Sequence, residues 1–386
     1  MKKFVVMLAC VLVLSCASCG PGGVLLLALV GGGGGGGKKK AGYTLTINSA
    51  YGEASPPAGV HRYAPNTFIS ATCGITPYPD VNPVSGTRYY YTGFNASGSG
   101  LPTSGPDTQL DFNITENTVI TWNWDVQHRL DINISPINGG SVTAPPPLDN
   151  GYYSSGTILQ LTASAASGYG FYQWSGDASG NTNPLTVTMN SYKNITAEFV
   201  VLPHADFTAS QTVFYGGTAN VTFSDASWGD IVQWDWDFNG DGIFDQTHYS
   251  SPGSVVWAYS TPGVYTVTLK VTGPAGHTDS KTETRYIKVY GSTIYVNVNT
   301  GDDTNNFGTS PTDALKTIQK GIDTAQDGMT VLVANGTYNE KNISFGGKAI
   351  VVKSENGAEY CIVDGGSSGR IFLFNNGETS ASVLEG

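Results

Sequence analysis

Beyond residue 42 the chain is written in short runs in which apolar and polar residues alternate, and few folds tolerate that pattern. Tyr43, Leu45 and Ile47 alternate with Thr44, Thr46 and Asn48. Leu130, Ile132 and Ile134 alternate with Asp131 and Asn133, and Trp234, Trp236 and Phe238 with Asp235 and Asp237. A period of two sends successive side chains to opposite faces of an extended strand, so each run reads as a strand with one face buried. The runs stop at Gly, Asn and Pro, the residues that turns require. With 21 Tyr and 7 Trp the chain is too aromatic for a disordered tail. At 386 residues it is long enough for two to four domains at about 100–200 residues each. The expected class is all-β and multi-domain.

A formal net charge of -11 argues against nucleic acid, whose phosphates need basic patches. It suits a soluble surface protein or a calcium binder. Of five cysteines, Cys10, Cys16 and Cys19 lie in the N-terminal leader, while Cys73 and Cys361 fall in different modules. Neither a disulfide framework nor a zinc site is expected.

Residues 1–19 read as an export signal: Lys2 and Lys3, an apolar stretch from Phe4 to Leu14, then small residues. Val13-Leu14-Ser15-Cys16 resembles a bacterial lipobox, which implies lipidation at Cys16, with Cys19 as the alternative, and membrane attachment through a lipid anchor. Plain signal cleavage is the other reading. Residues 20–42, with an unbroken glycine run from Gly31 to Gly37, read as a flexible tether. The expected location is the cell surface or outer membrane, or secretion.

Residues 43–125 and 126–201 share one order of segments: an alternating strand, a Pro-rich turn (Pro56 and Pro57; Pro145 to Pro147), a Tyr-led strand, an aromatic segment, and a closing strand. This is a divergent repeat. The second copy resembles the divergent InlB B-repeat family through Gly139 to Val142, Leu159 to Ala163, Gly168 to Phe171, Trp174 to Gly176 and Ile195 to Phe199. The resemblance implies spacing and adhesion. The first copy departs from it, with Phe94 in place of Trp and an insertion around Cys73 to Tyr91. Trp174 is read as packing on its own sheet rather than as a ligand platform.

Residues 203–290 resemble the PKD domain, through Trp236 to Gly242 and Tyr259 to Val267, which implies an Ig-like β-sandwich. Here Asp237, Asn239, Asp241 and Asp245 stand at relative positions 1, 3, 5 and 9, with Gly242 at 6. That spacing can wrap oxygen ligands around calcium, although His248 stands where an EF-hand needs a bidentate Glu. A polar hairpin turn is the alternative.

Residues 293–386 resemble the N-terminal part of a right-handed parallel β-helix of the pectin-lyase-like group. Leu315, Ile318, Ile322 and Ala325 recur at helical spacing, so an amphipathic helix over Ala314 to Ala325 is expected, started by Ser310 and Pro311. Short apolar runs follow as coils, and the chain is expected to be a fragment of a longer protein. No catalytic constellation emerges: the five histidines are scattered, and Asp302, Asp303, Asp364 and Arg370 qualify by type alone. The expected function is a surface or secreted modular protein for adhesion, for binding a polysaccharide or a surface protein, and for domain spacing. The alternative is a polysaccharide-degrading enzyme.

Overall fold

The computed structural model describes residues 42–74, 86–367 and 369–386. The leader, including Cys16 and Cys19, and most of the tether lie outside the described residues. Four hydrophobic cores follow one another along the chain. Among the described residues no helix is long and apolar enough to cross a membrane.

The first two cores confirm a repeat at the level of topology. In the first module the opening strand Tyr43–Ser49 lies parallel to the closing strand, with Leu45 beside Thr118 and Ile47 beside Ile120. In the second module the opening segment again lies parallel to the closing strand Lys193–Val201, with Leu130 beside Lys193 and Ile132 beside Ile195. A preceding strand, Thr87–Ser97 in one and Tyr169–Gly176 in the other, pairs antiparallel with each closing strand. A β-bulge interrupts both, between Tyr91 and Gly93 and between Phe171 and Gln173.

The register also explains why Phe94 replaces Trp. Phe94 faces Trp122 across the ladder, while Trp174 faces Ala197. The first module moves its largest ring to the neighbouring strand, and close packing of the interior is kept. Trp122, Phe94 and Trp174 are all buried. Trp174 also donates its indole N–H to the Thr182 carbonyl at 3.0 Å.

No linker separates the two modules. The closing strand of the first and the opening strand of the second are one strand, Thr118–Ser135, running through position 125 without a break. The segment from Asn123 to Arg129 holds no Gly or Pro that could end it.

The third core is a two-sheet sandwich. One sheet holds Phe207–Ala209, Ala219–Asp225 and Ser254–Tyr259; the other holds Val213–Tyr215, Thr278–Tyr290, Gly263–Thr272, Gln233–Asp237 and Gln246–His248. Alternation points Trp234, Trp236 and Phe238 inward, and the Trp236 and Phe238 rings stack at 5.3 Å. The opposite face of this strand is covered too, since Asp235 and Asp237 are also buried. Asp235 is satisfied by Gln233 Nε2 and Thr247 Oγ1, as a buried carboxylate must be.

From Thr293 onward the pairing becomes parallel. Thr293–Val296, Thr330–Val333, Val351–Ser354 and Val383–Glu385 form one ladder. Gly336–Tyr338 with Cys361–Val363, and Ile343–Ser344 with Phe372–Leu373, form two shorter ones. Successive turns of chain thus stack on one another around an apolar interior.

The helix is shorter than its apolar spacing suggests. It spans Ile318–Thr324, and Pro311–Asp313 is a separate 3₁₀ turn. Asp303 accepts from the Lys316 and Thr317 amides and from the Thr317 hydroxyl, which holds those residues extended and makes Thr317 the N-cap. Leu315 is buried as a bridge partner of Val296 instead. Glu340 accepts from the Ile318 and Gln319 amides. Lys348 Nζ donates to the carbonyls of Ile322, Asp323 and Ala325, so each helix end meets the charge its unpaired groups favour.

Candidate functional site

The loop after Gln233–Asp237 brings the four candidate calcium ligands into one turn, where each oxygen side chain serves the loop's own backbone. Asp237 Oδ1 accepts from the Asn239 and Gly240 amides at 3.1 and 2.7 Å, and Oδ2 from the Gly242 amide at 3.0 Å. Asn239 Oδ1 accepts from the Asp241 amide, and Asp241 Oδ1 from the Ile243 amide. Asp245 reaches back to the Phe238 amide at 2.7 Å. Gly242 takes a φ of 84°, which a side chain would strain. Among the described residues no group of three or more His, Cys, Asp or Glu side chains is arranged to hold a metal. These hydrogen bonds close the loop as a polar turn.

Four of the histidines have partners of their own. His61 meets the Pro57 carbonyl, His128 shares a hydrogen bond with Thr87 Oγ1, His204 pairs with Asp279, and His248 meets Gln246. Asp302 accepts from the Thr304 and Asn305 amides, and Asp364 from the Gly366 amide, so both act in turns.

His277 stands in a different setting. It lies on the hairpin between Gly263–Thr272 and Thr278–Tyr290, and that hairpin packs against the second module. A β-carbon on Gly170 would sit 2.2 Å from His277 Nε2, so only glycine lets the ring approach the strand Tyr169–Gly176. Nε2 is buried there without a hydrogen-bond partner. Beside this contact opens a cleft of about 400 Å³, walled by Tyr172, Gln173 and Asn181 on one side and by Pro274, Ala275 and His277 on the other. That volume is in the usual range of small-molecule sites, about 300–1,000 Å³.

Sequence reasoning missed this cleft because its walls lie far apart in the chain and meet only at the junction. Two residues, Leu202 and Pro203, connect the last strand of the second module to the sandwich. Asp230 locks them: its amide donates to the Val201 carbonyl at 3.1 Å, and its Oδ2 accepts from the Val201 amide at 2.7 Å. The next junction is equally tight. Tyr290 is buried in the fourth core and stacks on Tyr215 at 5.0 Å, Arg285 pairs with Asp313 at 3.0 Å, and Arg285 and Lys288 both lie over the Phe307 ring.

Two family models match parts of the chain. Residues 130–202 match the model of the divergent InlB B-repeat domain, and residues 200–289 that of the PKD domain. Among solved structures, the PKD1 domain of Vibrio anguillarum Epp is 30% identical, with 23% of this chain and 98% of that domain aligned and a TM-score of 0.18. The human OSCAR ligand-binding domain is 12% identical, with 63% of this chain and 97% of that one aligned and a TM-score of 0.17. No curated protein matches the chain. Both matched modules are typical of extracellular bacterial proteins. The chain thus carries a divergent InlB B-repeat domain over residues 130–202 and a PKD domain over residues 200–289.

Proposed function

We propose that this chain is a bacterial surface protein in which firmly joined β-modules carry a binding surface away from the membrane. The observation that carries the reading is the series of junctions: one shared strand, then a hydrogen-bonded joint, then a buried aromatic joint. A protein that only needed its modules connected would join them by flexible linkers. The reading takes Cys16, or else Cys19, as the lipid-bearing residue at the membrane end. It takes the parallel coils from Thr293 onward as the beginning of a right-handed β-helix of the pectin-lyase-like kind, and the ligand as a polysaccharide or a surface protein.

The test is antibody labelling of intact bacteria that express the whole chain. Wild type labels without permeabilisation, and Cys16→Ser releases the protein from the cell. Label that appears only after permeabilisation overturns the surface reading. Retention by Cys16→Ser with release by Cys19→Ser moves the anchor to Cys19.

A further inference from the structure

The cleft between the second module and the sandwich collects groups that the fold leaves unused. Among the described residues the Tyr172 ring and hydroxyl make no contact with another ring and no hydrogen bond, and the Asn181 amide makes none either. Gln173 donates from Nε2 to Glu198, leaving its oxygen and second N–H. His277 Nε2 also lacks a partner, but it is buried against Gly170 and out of a ligand's reach. Tyr172 is half-buried and Asn181 exposed, so both can reach a ligand in the cleft.

The wall chemistry restricts the occupant. None of the lining residues is charged, so a carboxylate, phosphate or ammonium ligand would be desolvated with nothing to pair it. A half-exposed tyrosine beside amides suits a ligand with an apolar C–H face and hydroxyls around its rim. On the open edge of the strand Tyr169–Gly176 the Trp174 amide already donates to the Gly180 carbonyl at 2.7 Å, which interrupts the ladder that an added peptide strand would need. We propose that this junctional cleft binds a unit of a neutral saccharide, with Tyr172 stacked on the ring and Asn181 and Gln173 bonded to its hydroxyls. The proposal deepens the surface reading by naming a ligand class and a site.

The experiment is calorimetric titration of the full chain with cellohexaose, laminarihexaose and N-acetylchitohexaose, with hexagalacturonate as the charged probe and a neutral hexapeptide as the peptide probe. At least one neutral hexasaccharide binds, and it binds better than either control. Tyr172→Ala weakens that binding by about tenfold or more, and Asn181→Ala weakens it measurably. Melting curves check that both variants fold, and Asn181, in an exposed loop, decides the matter if Tyr172→Ala melts early. Binding to none of the neutral sugars, equal binding by the variants, or tighter binding of hexagalacturonate or of the peptide each overturns the proposal. The labelling experiment is independent of this one, so either reading can fail alone.

Discussion

At the scale of single residues, Asp237 shows how much of a loop one carboxylate can hold in place. It is buried, yet its carboxylate stays satisfied because three backbone amides converge on it. The spacing of Asp237, Asn239, Asp241 and Asp245 was legible in the sequence; which atoms fill their lone pairs was not, because that depends on how the turn closes. Hydrogen bonds to a charged acceptor contribute about 1.5–3 kcal/mol each. Asp237→Ala is therefore expected to destabilise the chain by about 3 kcal/mol or more, and Asp237→Asn by less, measured by denaturant unfolding. Melting in millimolar calcium and in chelator tests the same loop for a cation: a rise with calcium that Asp241→Ala abolishes is the result expected of calcium ligation, and an unchanged melting temperature that of a polar turn alone.

At the scale of elements, the strand Thr118–Ser135 has most to explain. Its two ends were each readable as strands from Ile120 and Trp122 and from Leu130 and Ile132. Their continuity was harder to see, because Asp125, Gln127, Arg129 and Asp131 form a polar stretch of the kind that usually marks a loop. These side chains find partners instead: Asp125 accepts from Gln127 and Ser154, Arg88 donates to Gln127 and pairs with Asp149, and Asp131 accepts from Arg129 and Tyr192.

On the same strand His128 is buried, and burial, with Lys193 nearby, holds its pKa below the ordinary 6.5. The folded protein therefore prefers the neutral ring, and the unfolded chain binds the proton more readily. Stability attributable to His128 is full above pH 6.5 and is lost as the pH falls from there toward the depressed folded pKa. Melting temperature measured from pH 7.5 to 5 should fall more steeply for the wild type than for His128→Gln. Parallel curves would show that His128 does not carry the acid sensitivity.

For the whole molecule, the joints matter more than the modules. Period-two alternation made four all-β bodies readable, but nothing local in the sequence announces a junction made by residues as distant as Gly170 and His277. Gly229 shows the constraint: its φ is 100°, and a β-carbon there would lie 2.3 Å from the Leu202 carbonyl oxygen. Backbone cannot move aside as a side-chain tip can. Gly229→Ala is expected to pry the sandwich from the second module while both cores remain folded. Small-angle scattering of the wild type should fit one arrangement of the modules, and that of the variant should require several. Identical profiles would place the stiffness elsewhere.

The parallel pairing of first and last strands has a mechanical consequence. In each repeat the chain enters and leaves on adjacent strands that run in the same direction. A pull along the chain therefore loads those ladders lengthwise, so that their hydrogen bonds must rupture together rather than unzip one at a time. Under tension each repeat would therefore resist as a shear clamp.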